Sequence, residues 1–291
     1  MRLLLLGLTL PFLIIAGLAY FYLEDTNTKA IIIGLSFLPL TIMYIFRPQL
    51  EWWWYTRNPQ RVAKPMRSVL LKFFPYYNNL SEENKILFEQ RMFMFMLSKS
   101  YQKKVIETIP EDLKGLIAAN AIMLTFGLEK YLSPKFENII FYPNKFPSPA
   151  IKEFHACESF EDGDFGGMIF AIDHIMLAMR SEGQYNVVLH ELANVLWKEE
   201  GWSEKDFLEI ATPQNLQKLA NIRGFKLAQV RTLLGKPSIN FYAVLIEHFF
   251  AEPQNFQAIF PNLYKNIANR LNQNPLKKSN PVLINQFITG K

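Results

Sequence analysis

The chain has 291 residues, half of them hydrophobic and 14% aromatic, with a formal net charge of +5. That composition excludes a disordered or collagen-like chain, and the lone Cys157 excludes a disulfide framework or a Cys-based zinc site. The basic excess is no nucleic-acid stripe either: residues 1–67 hold 7 Lys and Arg against 3 Asp and Glu, and the remainder holds 24 against 23.

From Leu3 to Leu23 there are 21 residues without a charge, and Ala30 to Phe46 supplies 17 more. A helix rises about 1.5 Å per residue, so ~20 apolar residues cross a ~30 Å hydrocarbon core. The two runs predict a transmembrane hairpin over residues 1–48, closed by Glu24–Lys29. A cleaved signal peptide fits worse, because the apolar region is too long, no small-x-small cleavage site follows, and a second span comes at once. Arg47, Arg57, Arg61, Lys64 and Arg67 follow the second run, whereas the loop has only Lys29 beside Glu24 and Asp25. Positive-inside logic then places both outer ends in the cytoplasm. Trp52, Trp53, Trp54 and Tyr55 fall in a basic, aromatic juxtamembrane linker over 49–69, where such rings favour the headgroup layer. The expected location is the cell (inner) membrane, with a soluble domain over 70–275 facing the cytoplasm and a loose tail over 276–291.

In the soluble part, Asn79-Leu80-Ser81-Glu82 carries cap chemistry for a helix reaching about Ser100. Thr108-Ile109-Pro110-Glu111 predicts a second start, capped by Thr108, for a buried helix over Leu113–Phe126. Asn138 to Tyr142, stopped by Pro143, reads as a strand; Glu153–Phe160 and Gly167–Ile172 read as two more around a turn at Asp162-Gly163-Asp164. Helices are expected over Asn186–Lys198, Ser203–Arg223, Asn240–Ala251 and Phe260–Asn272. The fold class is α+β, mostly helical with a small sheet, preceded by two transmembrane helices.

The chemistry sits in Tyr185-Asn186-Val187-Val188-Leu189-His190-Glu191-Leu192-Ala193-Asn194, one residue away from the zinc-peptidase helix motif H-E-x-x-H. In that motif residues i and i+4 share a helix face, so two imidazoles grip one zinc, and the Glu acts as general base on the metal-bound water. Here the second imidazole position is Asn194, and an amide oxygen is a poor ligand for zinc.

Four blocks extend the pattern: Glu111 to Ala121 with Leu128 and Tyr131; Ile139 to Pro143 with Phe146; Val187 to Ala193; and Phe241 to Phe250 with Pro253, Phe260-Pro261, Leu263 and Tyr264. In this order and spacing, over roughly residues 70–275, the chain resembles the Mlc titration factor A family of zinc-dependent peptidases. The membrane hairpin is not part of that pattern. The resemblance implies a zincin-like (gluzincin-like) domain with aminopeptidase-like activity in intact members. It places the first zinc ligand at His190, the general base at Glu191 and the second ligand at Asn194. The third ligand, a Glu in the family, falls on Asn240, and a Tyr assisting the transition state falls on Leu233. Glu247 matches a Glu that the family has anyway and is the candidate substitute ligand; His155, His174 and His248 are the other imidazoles.

Asn194 and Asn240 could instead hydrogen-bond across the gap that zinc would bridge, since each amide both donates and accepts. The expectation is a membrane-anchored, zinc-free relative of these peptidases, a remnant of the catalytic site, that binds a protein or peptide partner and no nucleic acid. The alternative is an active zinc metallopeptidase using His190 and Glu191 with an unorthodox third ligand.

Overall fold

In a computed structural model, which describes residues 2–105, 107–180, 184–202, 212–224 and 226–282, the chain divides into two units, 1–60 and 61–291. The first unit opens with helices α1 (Arg2–Tyr22) and α2 (Thr26–Ile45), which pack on each other as a hairpin. The loop between them is shorter than Glu24–Lys29, because the Asp25 carboxylate accepts the Thr28 N–H at 2.7 Å and starts α2 at Thr26. Polar side chains inside α2 are satisfied within the helix: Ser36 donates to the Ile32 carbonyl and Thr41 to that of Phe37. Apolar side chains such as Leu10, Leu18, Phe21, Leu35 and Leu38 remain exposed along both helices. By length and composition Thr26–Ile45 can cross a membrane, and the apolar stretch of α1 runs over Gly7–Tyr22 among the described residues.

Residues 49–69, expected as a linker, are largely helical. Helix α3 (Arg47–Arg57) carries the tryptophans, with the Arg57 guanidinium 4.4 Å from the Trp53 ring centre. Helix α4 (Lys64–Phe73) already belongs to the second unit, with Val62, Met66 and Leu70 in its core. The reason is Glu89, a fully buried carboxylate on α6 (Glu82–Ser98). It takes two hydrogen bonds from Arg61 (2.8 and 2.6 Å), one from the Tyr77 hydroxyl (2.7 Å), and pairs with Arg67 at 3.0 Å. The single turn α5 (Pro75–Asn78) brings Tyr77 there.

Ser81 caps α6 by accepting the Asn84 N–H, and β1 (Ser100–Lys103) follows, a strand that the apolar pattern hides because its residues are polar. Helix α7 (Glu111–Thr125) starts after Pro110 rather than at a Thr108 cap; Pro110 has no side-chain donor or acceptor, so the acidic first turn supplies the start. From Leu113 to Thr125, α7 is buried at nearly every position, wedged between α6 and α9. Its last carbonyls are capped from far away: Gln273 donates to Met123 and Leu124, Asn272 to Gly127, and Arg91 to Phe126 and Leu128. Gly127 is required there, since a Cβ would run into the carbonyls of Leu271 and Asn272.

The sheet has the order β1-β2-β4-β3, with β2 (Asn138–Tyr142) parallel to both β1 and β4 (Phe165–Ala171). Strand β3 (Cys157–Asp162) runs antiparallel to β4 at one edge, joined by a tight turn with Gly163 at φ +58°. The chain then turns helical at Ile172, where a strand was expected to end, forming α8 (Ile172–Arg180). Helix α9 (Val187–Glu200) packs on β3 and on α12 (Phe241–Ala251). Between them come α10 (Pro213–Arg223), capped by Thr212, and α11 (Leu227–Leu234); the 203–211 part of the expected helix lies outside the described residues. The last expected helix, Phe260–Asn272, forms as α14 (Pro261–Arg270), with Pro261 in its first turn; the short α13 (Pro253–Ile259) before it was not expected.

The tail is not loose over 276–282. Leu80 pairs with Ser279 and Gln273 with Val282, while the Ser279 carbonyl accepts from the Ser81 N–H and the Asn84 amide. Residues 283–291 lie outside the described ones. Mostly helical, with a small four-stranded mixed sheet, the chain is α+β.

Candidate functional site

Three helices meet at Asn186, one residue before α9. Its side-chain oxygen accepts the Leu189 N–H (3.0 Å), its amide donates to Asn120 on α7 (2.7 Å), and its backbone N–H donates to the Glu247 carboxylate on α12 (3.0 Å). Asn120 is held in turn by donating to the Leu116 carbonyl at 2.8 Å. All four are interior bonds, so the position and rotation of α9 are fixed by polar contacts as well as by packing. His190 and Glu191 ride on that helix within its first turn.

His190 is buried, and its Nδ1 lies 2.6 Å from the Tyr185 hydroxyl. A phenol donating to Nδ1 suits a neutral imidazole, and burial together with the charge of Lys236 pulls the His190 pKa down to about 4. Glu191 has no exposed surface. Its Oε2 accepts from the Lys236 ammonium at 2.5 Å and its Oε1 from the Asn194 amide at 3.1 Å. Burial acts to raise the carboxyl pKa, but Lys236, and after it His190 and Asn194, hold it well below the usual carboxylate range. Burial acts against the Lys236 ammonium, and the neighbouring Glu191 carboxylate outweighs it and keeps the lysine charged.

Asn194 and Asn240 are brought together. The Asn240 amide donates to the Asn194 carbonyl oxygen at 3.2 Å, while the Asn240 oxygen caps α12 by accepting the Tyr242 N–H at 3.0 Å. The remaining Asn194 donor reaches Ser159 on β3 at 3.2 Å. Leu233, on α11, is half-buried and has no hydroxyl to offer. Of the Glu247 carboxylate, one oxygen takes the Asn186 N–H and the other lies 3.3 Å from His248 Nδ1. Each of the other imidazoles has at least one ring nitrogen engaged. His155 sits between the Glu153 carbonyl and the Glu158 carboxylate, and His248 bonds the Val244 carbonyl. His174 lies on α8 rather than in a strand, against Asp173.

These residues do not fit a zinc ion. At the positions where ligands are expected, only His190 is a ligand type; the two amides are bonded to each other, and an ammonium already sits on the carboxylate of Glu191. Among the described residues, no group of three or more His, Cys, Asp or Glu side chains could hold a metal ion.

Tyr185 and Asn186 stand in the informative stretch without an assigned role, and sequence reasoning missed Asn120, Ser159 and Lys236 as site residues. Asn186 was readable as a cap, and Asn120 lies inside a quoted block, but their pairing joins residues 66 apart and has no local signature. Lys236 follows a glycine in an unpatterned stretch, 45 residues from Glu191, and nothing in its neighbours marks it.

The family model described as glucose-regulated metallo-peptidase M90 matches residues 50–219, more than half of the chain. His190, Glu191 and Asn194 fall inside that match; Lys236, Asn240 and Glu247 lie beyond its end. No curated protein matches the chain.

Proposed function

The chain belongs to the glucose-regulated metallo-peptidase M90 family, that of Mlc titration factor A, and we infer that within it this is a membrane-anchored, metal-free member. It acts by binding a protein or peptide partner at the cytoplasmic face of the cell membrane. One observation carries the reading: the Asn194–Asn240 hydrogen bond spans the two positions where the family resemblance expects ligands. The zincin-like scaffold is kept, and the Lewis acid that would polarise a peptide carbonyl has no site.

Anchoring is supported by the exposed apolar flanks of α1 and α2, by the span length of Thr26–Ile45, and by the lysines and arginines that follow it. A peptide partner is supported by β3. It is the edge strand beside α9, and an extended chain adds to such an edge through backbone hydrogen bonds. The Ser159 carbonyl faces away from β4 and is met by the Lys198 ammonium at 3.3 Å, so the edge is already used as an acceptor.

The second reading, an active zinc peptidase with Glu247 as substitute ligand, is favoured by the influence of the Glu247 charge on His190. Zinc content of the purified full-length chain separates the two. We expect well under one zinc per chain and no peptide hydrolysis; near-stoichiometric zinc that disappears in His190→Ala overturns the metal-free reading.

A further inference from the structure

The buried charge at the centre of this site is balanced from within the chain. Glu191 carries one negative charge, Lys236 one positive charge, the two asparagines none, and His190 is neutral against Tyr185. The Lys236 side chain is 8% exposed and that of Glu191 0%, so neither charge is neutralised by water.

Lys236 is carried there by a built turn. Helix α11 ends at Leu234; Gly235 takes φ +71° and donates its N–H to the Arg231 carbonyl at 2.8 Å. The Leu234 carbonyl accepts the Ala156 N–H at 2.8 Å, tying the turn to the residue before β3. A Cβ at position 235 would strike the Phe154 carbonyl, so only glycine allows this approach. From Lys236 the hydrogen bonds run on through Glu191 and Asn194 to Asn240, linking the turn, α9 and the start of α12.

We propose that Lys236 is a tethered substitute for the metal: its ammonium neutralises Glu191, holds the three elements together, and excludes a divalent cation from the site. This rests on the metal-free reading above and adds a requirement to it. Restoring ligands at positions 194 and 240 leaves a buried excess of positive charge once zinc enters, because Lys236 remains. Removing Lys236 as well takes that ammonium from beside the incoming cation, a repulsion that a dry interior does not screen.

The test compares zinc binding by the full-length chain in detergent, using competition with a chromophoric chelator, for three proteins. These are the parent, the double variant Asn194→His/Asn240→Glu, and that double variant with Lys236→Met added. The parent and the double variant should bind little zinc, and the triple variant should bind at least tenfold more tightly than the double. Equal binding by the double and triple variants, whether tight or absent, overturns the role of Lys236. Stoichiometric zinc in the parent overturns instead the metal-free reading on which it rests. A second measurement covers failure of the triple variant to fold. Lys236→Met alone should lower the melting temperature by about 5–10 °C through an unpaired buried carboxylate, and Lys236→Met/Glu191→Gln should recover most of that loss. A single variant as stable as the parent would also overturn the proposal.

Discussion

The Glu247 carboxylate accepts the backbone N–H of Asn186 at 3.0 Å, across 61 residues of sequence. A residue that looks from its sequence position like a reserve metal ligand thus does the work of a helix cap for another helix. Glu247→Ala should destabilise the chain by about 3 kcal/mol, by orphaning a buried N–H and emptying a packed site. Zinc content should not change. Urea titration followed by tryptophan fluorescence measures the first, metal analysis the second; loss of bound zinc in this variant would restore Glu247 as a ligand.

Glu89 ties the start of the second unit to α6. Glu89→Ala leaves Arg61, Arg67 and Tyr77 without their shared acceptor and should cost about 3–5 kcal/mol. Because Arg61 marks the beginning of that unit, limited trypsin digestion should cut at Arg61 much faster in this variant than in the parent. An unchanged cleavage rate would show that Glu89 does not hold the segment.

Lys99 gives a pH signature away from the candidate site. Its ammonium donates to the carbonyls of Ser133 (2.7 Å) and Phe136 (3.0 Å), and burial lowers its pKa to about 8. The unfolded chain therefore holds a proton that the folded chain has released between about pH 8 and pH 10.5. Stability from this group rises with pH through that window, by about 3 kcal/mol in all. Lys99→Met should remove that rise, which urea midpoints at pH 7.5, 9 and 10.5 would measure. A parent and variant with parallel pH curves would refute it.

The hairpin reading predicts cytoplasmic behaviour for a reporter fused after Lys291, since the basic residues flank both outer ends of the hairpin. Reporter activity outside the cytoplasm would overturn the charge reading, through either a single span or an inverted hairpin.

The apolar helices were legible because burial leaves a period: α7, α9 and α12 all sit within a few residues of where their hydrophobic runs place them. Strand β1 was not, because Ser100-Tyr101-Gln102-Lys103 lies at the sheet edge with mostly exposed side chains, and its identity comes from pairing with β2. The site divides in the same way. His190, Glu191 and Asn194 share one helix and follow from i,i+4 spacing, and Asn240 follows from the family pattern. Lys236 gains its role only through tertiary placement, and a lysine after a glycine has no pattern to betray it.

The bonds at Ser279 impose an order on synthesis. Asn84 and Ser279 are separated by 195 residues, a stretch that a ribosome takes about 10–40 s to make. Over that interval α6 has only its nearby partners: Arg61 and Tyr77 reach Glu89 across 28 and 12 residues. The carbonyls at the end of α7 wait for Asn272 and Gln273 across 145 and 150 residues. The nascent domain is therefore tied early at Glu89 and closed only when residues 272–282 arrive, so a ribosome stalled before residue 272 would present a partly built core, open to chaperones and proteases.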